Sequence, residues 1–151
     1  DDPLNESIMF LIANKIYSHS YISFESALSY HQLIPESVFA VTSAASKKTI
    51  TFETSVGVFL YRTIKTALMF GYTLIPYKNY KIKIAEPEKA ILDYLYLHPD
   101  LVTEHDFRGL RINHDSLRSK CSKDVFREYL IVFKNKALIN RVNRFLGVYP
   151  L

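Results

Sequence analysis

With 151 residues, 48% hydrophobic and 23% charged, and with only four glycines, the chain reads as one globular domain (1–151) long enough to bury a real core. Its single cysteine, Cys121, excludes an intrachain disulfide and fits a reducing, cytoplasmic compartment. No apolar run approaches the ~18 residues of a membrane span, and no signal peptide is expected. The net charge of +4 is unevenly placed. Residues 1–105 hold nine Lys and Arg against eleven Asp and Glu, a balance of −2, while residues 106–151 hold ten against four, a balance of +6. A basic C-terminal third on a near-neutral body points to an acidic partner, nucleic-acid phosphate or acidic protein.

In chain order, Pro3 to Ser18 reads as a helix, with Ile8, Leu11, Ile12 and Ile16 at helical spacing as its inner face and Met9 and Phe10 widening it. Ser23 reads as the N-cap of a second, short helix over about 24–33, with Glu25 in its first turn and Pro35 stopping it. Together these predict an N-terminal helix pair. Val38 to Thr42 is a short apolar run and reads as a buried strand. Thr49–Thr54 and Val58–Arg62 read as a hairpin about Ser55–Gly57. Thr63 to Phe70 is ambiguous between loop and one helical turn.

Tyr72–Ile75 and Tyr80–Ile84 read as two further strands, the second with Lys81 and Lys83 on its wet face. Pro87 to His98 is the clearest helix, opened by Pro87 and Glu88, with Ala90, Ile91, Tyr94 and Leu95 as the buried stripe. Shorter elements follow near 107–112 and 115–120, then helices over 123–134 and from Asn135 to Gly147, where the apolar phase slips. The expected fold is α+β: the helix pair, a four- to five-stranded mostly antiparallel sheet, and C-terminal helices.

Four segments in register resemble one family. They are Tyr21-Ile-Ser-Phe-Glu-Ser-Ala-Leu-Ser-Tyr-His-Gln-Leu-Ile-Pro35, Thr42-Ser-Ala44 followed by Lys47-Lys48, Phe52-Glu-Thr54 with Gly57-x-Phe59-x-Tyr61-Arg62, and Ala85-x-Pro87-Glu-Lys-Ala90-x-x-Asp93-x-Leu95-Tyr96. This set is similar to AbiEi-type antitoxins, transcriptional regulators of type IV toxin–antitoxin systems in phage defence. The resemblance implies a non-enzymatic domain whose functional partner is a nucleotidyltransferase-like toxin, without implying direct contact. It also implies operon autorepression through operator DNA, read mainly by an upstream winged-helix domain. The chain opens Asp1-Asp2-Pro3, without Met, and no helix-turn-helix pattern precedes Ile8, so that domain is expected to lie outside it.

No catalytic, metal or cofactor residues are expected. The five histidines are scattered, and none is paired at i, i+4 with a second ligand. Glu86, Glu88 and Asp93 with Lys81, Lys83 and Lys89 form the one carboxylate–lysine cluster, which leaves open a metal-dependent nuclease or nucleotide-processing domain as the alternative; helix-start acids explain the same residues without chemistry. For contact with nucleic acid or an acidic partner the candidates are Arg118, Lys120, Lys123, Arg127, Lys134, Lys136, Arg141 and Arg144, with Lys47 and Lys48 in a turn. Arg127, Lys134 and Arg141 recur every seven residues and share a helix face if the phase break at Asn135 is small.

Overall fold

The computed structural model describes residues 5–36 and 38–151. The helices are α1 (Glu6–Ile16), α2 (Phe24–Tyr30), α3 (Pro87–Tyr96), α4 (Glu104–Arg108), α5 (His114–Lys120), α6 (Lys123–Phe133) and α7 (Lys136–Val148). The strands are β1 (Ser20–Ile22), β2 (Val41–Ala45), β3 (Ile50–Thr54), β4 (Gly57–Thr63), β5 (Tyr72–Tyr77) and β6 (Tyr80–Ala85), with a 3-10 turn at Thr66–Leu68. All six strands form one sheet in the order β3-β4-β2-β1-β6-β5. The sheet is mixed, because β2 runs parallel to β4 and β1 parallel to β6, while the other three neighbouring pairs are antiparallel.

This corrects the expected four- to five-stranded, mostly antiparallel sheet and the helix pair. Between α1 and α2 lies β1, which pairs with β2 on one side and β6 on the other. Three residues cannot display a period of two, so Ser20-Tyr21-Ile22 carries no strand signal of its own. It is a strand because both neighbours offer it a ladder and all three residues are buried. The second strand is also shifted, to Val41–Ala45, since Phe39 is 90% exposed and the small residues Ser43, Ala44 and Ala45 take the interior positions. The hairpin of β3 and β4 closes at Thr54–Gly57, where the Thr54 hydroxyl accepts from the Val56 and Gly57 amides. The β5–β6 hairpin closes on Lys78-Asn79, with Lys78 at φ 54°.

Of the expected inner face of α1, Phe10 is buried and Met9, Leu11 and Ile12 pack partly buried on the core, but the buried line is rotated toward Ala13 and Asn14, and Ile16 is exposed. Asn14 explains the rotation: its Oδ1 accepts from the Lys83 amide at 2.7 Å, and the Tyr61 hydroxyl reaches the Ala13 carbonyl at 2.6 Å. The expected start at Pro3 lies outside the described residues. Against the sheet, α2 packs on β2 and on α3, and α3 then packs on α6 and α7. The break before the last helix falls at Lys134, which is left-handed at φ 50°, and the Asn135 side chain accepts from the Leu138 amide to cap α7. Among the described residues, no helix is long and apolar enough to cross a membrane.

Candidate functional site

The centre of the molecule is a sealed polar cluster between β1 and α3. Lys89 and Asp93 sit one turn apart on α3, and both side chains are fully buried, with Nζ and Oδ1 2.7 Å apart. Lys89 also donates to the Tyr21 hydroxyl at 2.6 Å and the Leu68 carbonyl at 2.7 Å. Asp93 Oδ2 accepts from the Tyr21 hydroxyl at 2.7 Å and from Ser23 Oγ at 2.8 Å. The ammonium thus has three acceptors, and it lies 4.6 Å from the Phe70 ring centroid, with Tyr21 and Phe133 slightly further away. Burial pushes the Lys89 pKa down, against the pull of Asp93. Burial pushes the Asp93 pKa up, against Lys89, Tyr21 and Ser23. Burying a charged pair is tolerable only because all three ammonium protons and both carboxylate oxygens meet a partner.

Gly71 makes room for the lysine stem. At φ +75° it occupies the left-handed region, and a Cβ there would meet Lys89 Cγ at 2.9 Å.

A second layer ties α2 to the sheet. Ser23 stands at the N-cap position, but its hydroxyl is given to Asp93 and does not cap the helix. Thr42 of β2 takes over that role: its Oγ1 accepts from the Ser26 amide at 3.0 Å and donates to the Ser23 carbonyl at 2.6 Å. In return, the Thr42 amide donates to Ser26 Oγ at 2.8 Å. Phe24 enters the helix at φ 56°, a strained value for a non-glycine residue, held by its complete burial. Glu25 then forms a two-pronged pair with Arg62 of β4, at 2.7 and 3.1 Å, while the guanidinium lies 5.0 Å from the Phe24 ring centroid. Burial raises the Glu25 pKa, but the Arg62 hydrogen bonds and charge outweigh it and leave it lowered. His31 ends α2 and donates from Nε2 to the Ala85 carbonyl at 2.7 Å.

The expected stripe on α3 is too narrow. Glu88, Lys89, Leu92 and Asp93 are buried along with Ala90, Ile91 and Leu95, whereas Tyr94 is only half-buried. The carboxylates of the cluster are engaged separately. Glu88 accepts from the Ser122 amide at the start of α6, Glu86 accepts from the Tyr129 hydroxyl, and Lys83 donates to the Ser18 carbonyl. Among the described residues, no group of three or more His, Cys, Asp or Glu side chains is placed to hold a metal ion. Burial pushes the Cys121 thiol up to about 12, and the nearby Glu88 charge adds to it, outweighing the opposite pull of Lys120.

The basic residues separate into two kinds. Lys123, Arg127, Lys134, Lys136 and Arg144 are exposed on α6, α7 and their junction, and Lys47 and Lys48 are exposed between β2 and β3. Arg118 faces Asp115 at 3.9 Å and Arg127 faces Asp124 at 3.4 Å, both exposed pairs of small worth. Lys120 is turned back on the body, donating to the His31 carbonyl at 2.5 Å and to Gln32 Oε1 at 3.2 Å. Arg141 departs from the expected shared face. It is 9% exposed, and it donates to the Leu95 carbonyl at 2.7 Å, joining the His98 amide on that acceptor in the last turn of α3. The helix break at Lys134 puts Arg127 and Arg141 on different helices.

No known protein-family model matches the chain, and no curated protein matches it.

Proposed function

We propose that this chain is the core of an AbiEi-type antitoxin and transcriptional regulator, a non-enzymatic domain that opposes a nucleotidyltransferase-like toxin and supports operon autorepression. One observation carries the reading. The four segments that resemble the family are spread over residues 21–96, and polar residues from each of them contact one another across the fold. Tyr21 and Ser23 meet Asp93, Ser23 and Ser26 meet Thr42, and Glu25 meets Arg62. A chance scatter of weak motifs has no reason to converge in this way, whereas a shared fold does.

The chemistry of the constellation agrees. Its lysine and aspartate are sealed and already engaged by protein partners, as befits a scaffold rather than a site that must receive a substrate. In this reading the exposed Lys123, Arg127, Lys134, Lys136 and Arg144 rest on operator phosphates flanking the bases read by a winged helix, adding affinity without base preference.

The test is co-expression with a nucleotidyltransferase-like toxin encoded in the same operon, together with a reporter driven by the operon's promoter. Restored growth and a repressed reporter are the expected results. Growth that stays arrested while the reporter stays fully active overturns the proposal.

A further inference from the structure

An opening into the apolar core lies where α2 and α3 meet the α4–α5 connection and α7. Its volume is about 150 Å³. The walls are core side chains rather than surface ones: Leu28, Ile91, Leu95, Ile112 and Phe145 are each at most 8% exposed. Leu110 of the connection forms part of the rim. Its walls are aliphatic and aromatic, so it favours an apolar occupant. Water gains little there, because a stable water needs two to four polar partners. Glu25 and Tyr94 are the polar residues of the lining. Glu25 is already matched by both nitrogens of Arg62, so the polar end offers no spare charge to a ligand ion.

We infer that this pocket binds a small uncharged aromatic molecule, one ring with a short substituent, whose ring fills the Leu28–Ile91–Leu95–Phe145 space and whose polar group, if present, faces Glu25 and Tyr94. The volume matches a single benzene-sized ring, and apolar cavities of this size in other proteins take up benzene. The paired Glu25 and Arg62 select against ions of either sign, since a charged group entering an apolar pocket without a free counter-charge loses its hydration uncompensated. Occupancy bridges α2, α3 and α7, so a ligand there tightens the docking of the C-terminal helices on the body.

The probe is toluene, titrated into the whole chain with its Ile and Leu methyl groups followed by NMR. Saturable shifts confined to the Leu28, Ile34, Ile91, Leu95, Leu110 and Ile112 methyls, with a midpoint below about 1 mM, are expected. Benzoate and benzylammonium should bind at least about tenfold more weakly than toluene. Leu110→Phe, which fills the rim, should weaken toluene at least about tenfold, while Val102→Phe, at an exposed position away from the pocket, should change nothing. Because Leu110→Phe can disturb folding, intermolecular NOEs from the toluene methyl to Ile91 and Leu95 in the unmodified protein give a second reading. Absent NOEs, shifts that do not saturate, or a charged analogue binding more tightly than toluene would each overturn the inference.

Discussion

Lysines and arginines occur in two settings here, and the contrast between them separates architecture from recognition. Lys89, between β1 and α3, has no exposed surface and holds three acceptors, one of them an aspartate. Lys123, Arg127 and Lys134 on α6 and at its end are exposed, and the acid facing Arg127 is an exposed Asp124 at 3.4 Å. The first charge cannot be removed without stranding its partner in the interior. The others can be reversed with the fold barely affected. Arg141 belongs with Lys89, although its place in the sequence puts it among the others.

The sharpest way to break the contrast is Lys89→Met, which leaves Asp93 buried and unpaired and should cost about 3–5 kcal/mol. The double change Lys89→Met with Asp93→Asn should recover part of that loss, and denaturant unfolding of both variants measures the coupling. A double variant no better than the single would mean the two charges are not coupled. Next in size is Gly71→Ala. It forces a Cβ into the left-handed region and against the Lys89 stem, with an expected loss of about 2–3 kcal/mol by thermal or denaturant unfolding.

A smaller effect separates the partly buried pair from both extremes. Because the Glu25 pKa is lowered in the fold, its contribution is fully present above the ordinary value of 4.5 and disappears as pH falls through the folded value. Unmodified protein should therefore exceed Glu25→Gln in stability by roughly 1 kcal/mol or less at pH 7, given solvent screening at this partly exposed pair. The gap should close in acid, and a gap independent of pH would remove Arg62 as its cause. The smallest expected stability change is at the exposed charges. Arg127→Glu with Lys134→Glu should stay within about 0.5 kcal/mol. In DNA-binding titrations at two salt concentrations, the slope of log K against log salt should flatten by about 0.9 for every phosphate these side chains no longer neutralise. Unchanged curves would leave these residues as solvated surface. Arg141→Glu does not belong in that experiment, because its guanidinium is part of the core.

The sequence singles out the basic C-terminal residues as contact candidates, and neither the grouping nor the roles of the buried Lys89–Asp93 cluster could be read from it. Ser23, Glu25, Arg62 and Asp93 all stand in the four motif segments of the sequence, but Ser23 reads locally as a helix cap, and its hydroxyl is claimed by an aspartate 70 residues away. Lys89 reads as one member of a helix-start charge cluster, and nothing in its neighbours announces Tyr21 across 68 residues. The pocket left no trace in the sequence, since it is a gap between four elements rather than a property of any of them.

What the sequence by itself determined is whatever neighbouring residues decide among themselves. The β3–β4 turn follows from strand-forming residues on either side of Thr54–Gly57, the start of α3 from Pro87, and the cap of α7 from Asn135. These rest on backbone stereochemistry and capping within a turn or two. Only the tertiary structure decided that β1 lies inside the sheet, that β2 and β4 run parallel, that α1 turns Phe10, Ala13 and Asn14 inward, and that α3 is buried on nearly every side with its charges paired. Each of these depends on partners tens of residues away, and hydrophobic periodicity records only that a face is apolar, never which surface will cover it.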